Sequence, residues 1–413
     1  MNARLQGQSV PLSGNDNSPE QPGYTSAFDV GQPGADGLKT ERLKTDGLKA
    51  AGMKTVAEFK VEYLQYLDAQ GNLNGEPPAF ARDDAALLKM FGAMLRARLF
   101  DTKAVNLQRI GKLGTYASCL GQEAAHVGVG AATRPEDAVA IVYREIGTLF
   151  WRGVRMKDVL MYWGGDERGN DFAGPRHDFP WCVPIATQTL HAAGAAMAFK
   201  ARKERRCAVA FIGDGGTSEG SFYEAINLAG ARQLPVVFMV VNNRWAISVP
   251  IEQQTAAHTL AQKAIAAGIP GMQVDGNDVI AVRDATSRAL EKARNGGGPT
   301  VIEALTYRLS DHTTADDATR YRGVDEVNEA WQVEPLIRLR RLLTARGALD
   351  EAREQAMKAE FSREVDAAVQ EYFDTDKQST DAMFDYLFAN PPRHIETQKA
   401  IARRYAGTGR PSH

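Results

Sequence analysis

The chain has 413 residues and 44% apolar content, enough to bury a full core, and its 49 basic and 51 acidic residues leave a formal net charge of −2. That near-neutral balance offers no electrostatic footprint for nucleic acid or an acidic membrane surface. No apolar run approaches the roughly 18 residues of a membrane span, no apolar signal core opens the chain, and three unpatterned cysteines, Cys119, Cys182 and Cys207, fit a reducing cytoplasm better than a disulfide scaffold or zinc site.

In chain order, residues 1–36 are rich in Gly, Pro, Ser, Asn and Gln and read as an arm without a core of its own. Leu38, Leu43, Leu48 and Met53 then recur every five residues, each followed by a lysine. A period of five matches neither a helix nor a strand face, so this repeat reads as linker. The arm is assigned to residues 1–78, with turn signals at Gly71-Asn72 and Pro77-Pro78, the main domain to 79–375 and a helical tail to 376–413. The stripe Leu87, Leu88, Met90, Phe91, Met94, Leu95 and Leu99 predicts a helix from Asp83 to about Ile110. Further helices are expected over Leu120–Ala132, Met156–Trp163, Ala186–Lys203, Glu219–Arg232, Ala256–Ala267 and Val279–Asn295. Strands are expected over Val139–Val142, Ala208–Ile212, Pro235–Val241, Gly271–Val274 and Pro299–Tyr307. Beyond Asp325 the pattern is helical and charged, with helices near 333–346, 350–373 and 395–405. Alternating strands and helices imply an α/β fold with a mainly parallel sheet flanked by helices.

The richest stretch is Cys207 to Trp245, which reads as strand, turn, helix, strand with a polar residue at the carboxyl end of each strand. Ligands of open parallel sheets bind at those ends. Three motif readings compete there. A dinucleotide fingerprint has Gly213 and Gly215 but meets Ser218 where the third glycine belongs. A phosphate-binding P-loop has Gly215 and Gly220 but meets Ser221 where lysine belongs. The third is Gly213-Asp214-Gly215, 26 residues, then Asn242-Asn243. It places Asp214 and Asn243, both hard oxygen donors of the kind Mg²⁺ takes, at the ends of successive strands. Gly215 and Gly216 let backbone N–H groups approach an anion.

This pattern resembles the thiamine-diphosphate motif of 2-oxo-acid dehydrogenases. Tyr143–Gly153, Pro184–Gln188, Val274–Val282 and Ile302–Arg322 look like the α subunit of the branched-chain decarboxylating component. The resemblance covers about residues 83–405 and implies the thiamine-diphosphate-binding fold. It implies Asp214 and Asn243 as Mg²⁺ side-chain ligands, the Trp245 carbonyl as the third protein ligand, and Gly215 and Gly216 as backbone contacts to the diphosphate. Tyr143 and Arg144 would stand beside that diphosphate, and the backbone of Val183 and Ile185 against the aminopyrimidine ring. His312 would lie near the phosphate and help deliver the acyl group to a lipoyl carrier.

In the same loop, Asp316, Asp317, Tyr321 and Arg322 are expected to order the chain by hydrogen bonds, Thr313 stands where animal relatives carry a kinase-targeted serine, and no phosphorylation is inferred. His177, on its own loop, could border the site. Cys182 and Val183 replace serines of the animal potassium site, and a thiol is a poor ligand for a hard cation, which argues against K⁺ here. The resemblance also implies a β subunit that supplies the cofactor-activating glutamate, an α₂β₂ heterotetramer, and a lipoyl-bearing acyltransferase core as partner. The expected reaction is oxidative decarboxylation of a branched-chain 2-oxo acid, with pyruvate or acetoin relatives as the alternative. Two outsiders are a catalytically silent subunit, opposed by intact Asp214, Asn243 and His312, and a nicotinamide enzyme, opposed by Ser218.

Overall fold

The computed structural model describes residues 54–385 and 387–406. The chain divides into two units, residues 1–58 and 59–413. Of the first, only Lys54–Glu58 is described, as exposed irregular chain. The five-residue repeat at Leu38, Leu43, Leu48 and Met53 lies outside the described residues.

The second unit begins with β1 (Glu62–Leu64), α1 (Asp84–Arg109), α2 (Glu123–Ala132), β2 (Ala138–Ala140), α3 (Ile146–Trp151), α4 (Met156–Trp163) and α5 (Thr187–Ala201). It continues through β3 (Ala208–Gly213), α6 (Gly220–Arg232), β4 (Val236–Asn242), the short pair β5 (Trp245–Ala246) and β6 (Val249–Pro250), α7 (Ile251–Gln254), α8 (Lys263–Ala266), β7 (Gly271–Asp275), α9 (Val279–Arg294) and β8 (Thr300–Leu305). Four helices close the described chain: α10 (Val324–Gln332), α11 (Pro335–Ala345), α12 (Glu351–Phe373) and α13 (Arg393–Tyr405).

Six strands form one sheet in the order β1-β7-β8-β4-β3-β2, every pairing parallel, as the alternation of strands and helices requires. Alternate residues of the central strands serve two cores. Val209, Phe211, Val237 and Met239 join the layer built with α1, α2 and α9, while Ala208, Ala210, Ile212, Phe238 and Val240 join the layer built with α5 and α6. No polar residue interrupts β3 between Ala208 and Ile212, because both of its faces are covered.

The local departures from expectation have identifiable causes. The helix expected over Ala256–Ala267 is instead an irregular segment, which follows α7, and the short α8. Backbone N–H groups between them bond to side chains: Ala257 to Thr255 Oγ1 at 3.2 Å, Ala261 to Glu303 Oε2 at 2.9 Å and Gln262 to Thr259 Oγ1 at 3.1 Å. Such bonds compete with the helical ladder and outweigh the alanine content. The helix expected from Leu120 starts at Glu123, whose carboxylate reaches back to the Gly121 N–H at 3.0 Å. Short elements that escaped the sequence pattern include β1, an edge strand of three residues in the stretch assigned to the arm, and α3.

Candidate active site

The topology gathers the candidate residues. β8, β4, β3 and β2 are consecutive neighbours in the sheet. Their carboxyl ends lead, in that order, toward His312, Asn243, Asp214 and the pair Tyr143-Arg144, so four strand ends separated in sequence open on one edge.

The turn after β3 is tightly built. Asp214 is 2% exposed, and its Oδ2 accepts a hydrogen bond from Gln254 Nε2 at 3.0 Å. Burial pushes its carboxyl up from the usual range, against the opposing effect of that hydrogen bond. Thr217 closes the turn by donating from Oγ1 to the Asp214 carbonyl at 2.7 Å. A Cβ on Gly215 would lie 2.6 Å from Ala246 Cβ, and one on Gly216 2.6 Å from Ile212 Cγ1 and 3.0 Å from Ile185 Cγ2. Both glycines are therefore required by close packing, whatever else their N–H groups do. Asn243 Oδ1 accepts from the Trp245 N–H at 3.2 Å. The Trp245 carbonyl, the candidate third metal ligand, already accepts from Arg308 Nη1 at 3.1 Å, which leaves it a second lone pair. Val183 and Ile185 are 51% and 41% exposed just before α5, so their backbone can meet a ligand. Ala186, Arg244 and Ile247 hold positive φ (68°, 71° and 58°) without being glycine. Backbone strain of this kind concentrates at functional sites.

The loop after β8 is organised by long-range hydrogen bonds. Arg308 is wholly buried. Its Nη2 donates to the Ile247 carbonyl at 2.7 Å and to Tyr321 Oη at 2.9 Å. Tyr321 in turn donates to Asp316, which accepts the His312 N–H at 2.9 Å. Arg322 binds the Arg308 and Ser310 carbonyls, and Thr314 bonds to the Tyr116 backbone in both directions, at 2.9 and 3.0 Å. The expected ordering roles of Asp316, Tyr321 and Arg322 are thus seen as bonds, while Asp317 caps only the short turn at Ala318–Arg320. Arg144 binds the Ser118 carbonyl, and its Nη2 donates to the His312 carbonyl at 2.9 Å and stands 3.2 Å from His312 Nδ1. The Tyr143 ring meets the His312 ring edge-on, centroids 6.2 Å apart. Burial, then the Arg144 and Arg308 guanidinia, push the imidazole down to about 3. It is neutral at ordinary pH. A guanidinium has only donors, so Nδ1 is the acceptor and the ring proton sits on Nε2.

Arg144, Arg308 and Arg322 are all buried, and among the described residues none has a carboxylate within ion-pair distance. A buried surplus of positive charge is costly unless an anion joins it. Gln254 Oε1, beside Gly215, is a buried acceptor without a partner among the described residues. Uncompensated guanidinia, an orphan acceptor and an all-oxygen set from Asp214, Asn243 and the Trp245 carbonyl fit a diphosphate with a hard cation. Among the described residues no cluster of three His, Cys, Asp or Glu side chains is arranged to hold a metal. His177 is exposed on the loop whose Asp178 is held by Arg152, and no bond joins it to the His312 network. Arg308 and Gln254 were not anticipated. An arginine at a strand end reads as solvated, and a glutamine in a polar segment carries no signal.

Residues 92–380 match the dehydrogenase E1 component family. The chain belongs to this family. It is 39% identical over 343 residues, 83% of this chain and 93% of the relative, to the pyruvate dehydrogenase E1 component subunit alpha of Staphylococcus epidermidis RP62A. It is 38% identical over the same length to the protein of that name from Staphylococcus aureus N315. The E1 family is one of thiamine-diphosphate enzymes, and the sheet edge that carries Tyr143, Arg144, Asp214, Asn243 and His312 falls inside the matched residues.

Proposed function

We propose that this chain is the α subunit of a pyruvate dehydrogenase E1 component, acting with a β subunit in an α₂β₂ assembly and serving a lipoyl-bearing acyltransferase core. The observation that carries the substrate is the similarity to pyruvate dehydrogenase α subunits along 93% of their length. The branched-chain alternative rests on the Val274–Val282 and His312–Asp317 segments.

Bound thiamine diphosphate supplies the carbanion and electron sink for decarboxylation of a 2-oxo acid. Asp214, Asn243 and the Trp245 carbonyl would hold Mg²⁺, the Gly215 and Gly216 N–H groups and Arg144 would hold the diphosphate, and the Val183 and Ile185 backbone would meet the ring. Tyr143 walls the site beside His312. The neutral His312 offers an N–H at Nε2, fixed in orientation because Nδ1 is taken by Arg144. That donor suits a group that steadies developing negative charge on the acyl unit as it passes to the lipoyl carrier. Without a charge of its own, the ring adds no repulsion to the surrounding guanidinia. No described helix is long and apolar enough to cross a membrane.

The test is co-production with a β subunit and a comparison of kcat/KM for pyruvate and for 3-methyl-2-oxobutanoate in the presence of thiamine diphosphate and Mg²⁺. Pyruvate should be preferred. Preference for the branched acid would return the chain to the branched-chain reading.

A further inference from the structure

Lys263, the first residue of α8, is a buried lysine spent on one neighbour. Its Nζ donates to the Thr217 carbonyl at 2.8 Å and to Thr217 Oγ1 at 3.0 Å. The ammonium lies 5.4 Å from the centroid of the Tyr223 ring. Among the described residues no carboxylate comes within ion-pair distance of it, although Glu303 acts on it from farther off. Burying a lysine with no carboxylate partner is expensive. The usual compensation, a salt bridge, is missing, and the charge is directed instead at a single turn.

That turn is the one after β3. Thr217 Oγ1 accepts the Lys263 hydrogen bond and donates its own to the Asp214 carbonyl at 2.7 Å. The Thr217 N–H returns to the same carbonyl at 3.1 Å. Lys263, Thr217 and Asp214 are therefore linked in series, and Gly215 and Gly216 lie between the two ends of the link. The Asp214 carbonyl shares its peptide with the Gly215 N–H, so a hydroxyl made a stronger donor by the ammonium it accepts from polarises that peptide and makes the Gly215 N–H a better donor on the opposite side.

We propose that Lys263 is a positioning residue for the cofactor: through Thr217 it holds the Asp214–Gly216 turn in the geometry that receives the diphosphate and its cation. The assignment rests on the thiamine-diphosphate reading of the site. Lys263 bonds none of Asp214, Asn243 and Trp245, and its effect travels through Thr217.

The experiment uses the α–β complex and measures the dissociation constant of thiamine diphosphate at saturating Mg²⁺ by calorimetry, with the unfolding midpoint of the cofactor-free complex recorded in parallel. Lys263→Met should weaken binding on the order of tenfold to a hundredfold, the worth of a charge-assisted hydrogen bond. Lys263→Arg, which keeps the charge, should recover part of the loss. Thr217→Val should weaken binding as well, and the double variant should bind little worse than the worse single variant, because both act on one link. Wild-type affinity in Lys263→Met, or additive losses in the double variant, overturns the proposal. If Lys263→Met fails to assemble, the Lys263→Arg and Thr217→Val arms decide in the same way. Wild-type complex that binds no thiamine diphosphate defeats the cofactor reading itself, and that outcome shows before any variant is compared.

Discussion

Two loops at the same edge of the sheet are held by opposite means. The turn after β3 is held mostly by close packing: Asp214, Gly215, Gly216 and Thr217 are contiguous, and packing against Ile212, Ile185 and Ala246 enforces their conformation, with Gln254 and Lys263 bonded to it. The loop after β8 is held from afar. Arg308 grips carbonyls of residues 245 and 247, Arg144 reaches His312 from the end of β2, and the Tyr116 backbone pairs with Thr314. A turn fixed by close packing tolerates little change in shape. A remotely tied loop keeps its shape only while its buried polar hub is intact.

The largest effect should come from removing that hub. Arg308→Met leaves the Trp245 and Ile247 carbonyls and the Tyr321 hydroxyl, in part-buried bonds, without the donor that a wholly buried side chain supplies. Leaving such groups unsatisfied costs about 1–3 kcal/mol each, partly offset because a desolvated cation repelled by Arg144 is also removed, so a net loss of about 2–4 kcal/mol is expected. Hydrogen exchange across residues 310–322 and their susceptibility to protease should both rise sharply, while exchange in 214–217 stays low. A variant whose 310–322 loop remains as protected as wild type would show that the network is ornamental.

The converse change, in the local turn, should be smaller. Gly216→Ala places a methyl 2.6 Å from Ile212 Cγ1, a buried side chain on β3 with no room to retreat. Overpacking of this kind costs about 1–3 kcal/mol. It should lower the unfolding midpoint and weaken thiamine diphosphate binding without altering exchange in 310–322. Spread of the effect into that loop would mean the two regions are one cooperative unit and that the distinction drawn between them fails.

The same distinction separates what the amino-acid pattern disclosed from what it hid. Contiguous features were visible: the unbroken apolar runs of β3 and β4, doubly covered, and the glycine turn with its acidic residue. His312 was visible through its motif. Arg308 was not, because the partners that make it a hub lie about sixty residues away in sequence and bond through backbone carbonyls, which have no sequence signature. The segment 255–262 was misread because side-chain bonds from Thr255, Thr259 and Glu303 decide it, and alanine content alone points to a helix. The substrate was hard to read for a related reason. Within Val274–Val282, Asp278 caps α9 and accepts the Tyr66 and Leu67 N–H groups at 2.7 Å, and Asp275 pairs with Arg338. In the loop, Asp316 ties down His312. In this chain these residues build the scaffold, so their presence carries little information about a substrate side chain.

The mildest change, Tyr321→Phe, probes one bond of the remote network and leaves its hub in place. The lost hydroxyl accepts from Arg308 and donates to Asp316, and since Tyr321 is only part-buried, water can replace some of what is lost. About 1 kcal/mol of stability at neutral pH is expected. The pH dependence gives the sign. Burial raises the Asp316 carboxyl, but the Tyr321 hydroxyl and the His312 N–H outweigh it and hold the group below its ordinary value of 3.8. A carboxyl depressed in the folded state contributes stability that is present above that value and is lost as pH falls through the folded one. In Tyr321→Phe the depression is smaller, so the stability gap between the variant and wild type should narrow as pH is lowered below about 4. Chemical denaturation at a series of pH values reads this directly. A gap that stays constant into acid would place the worth of the Tyr321 hydroxyl in its bond to Arg308 and leave Asp316 to be ordered by the His312 N–H alone.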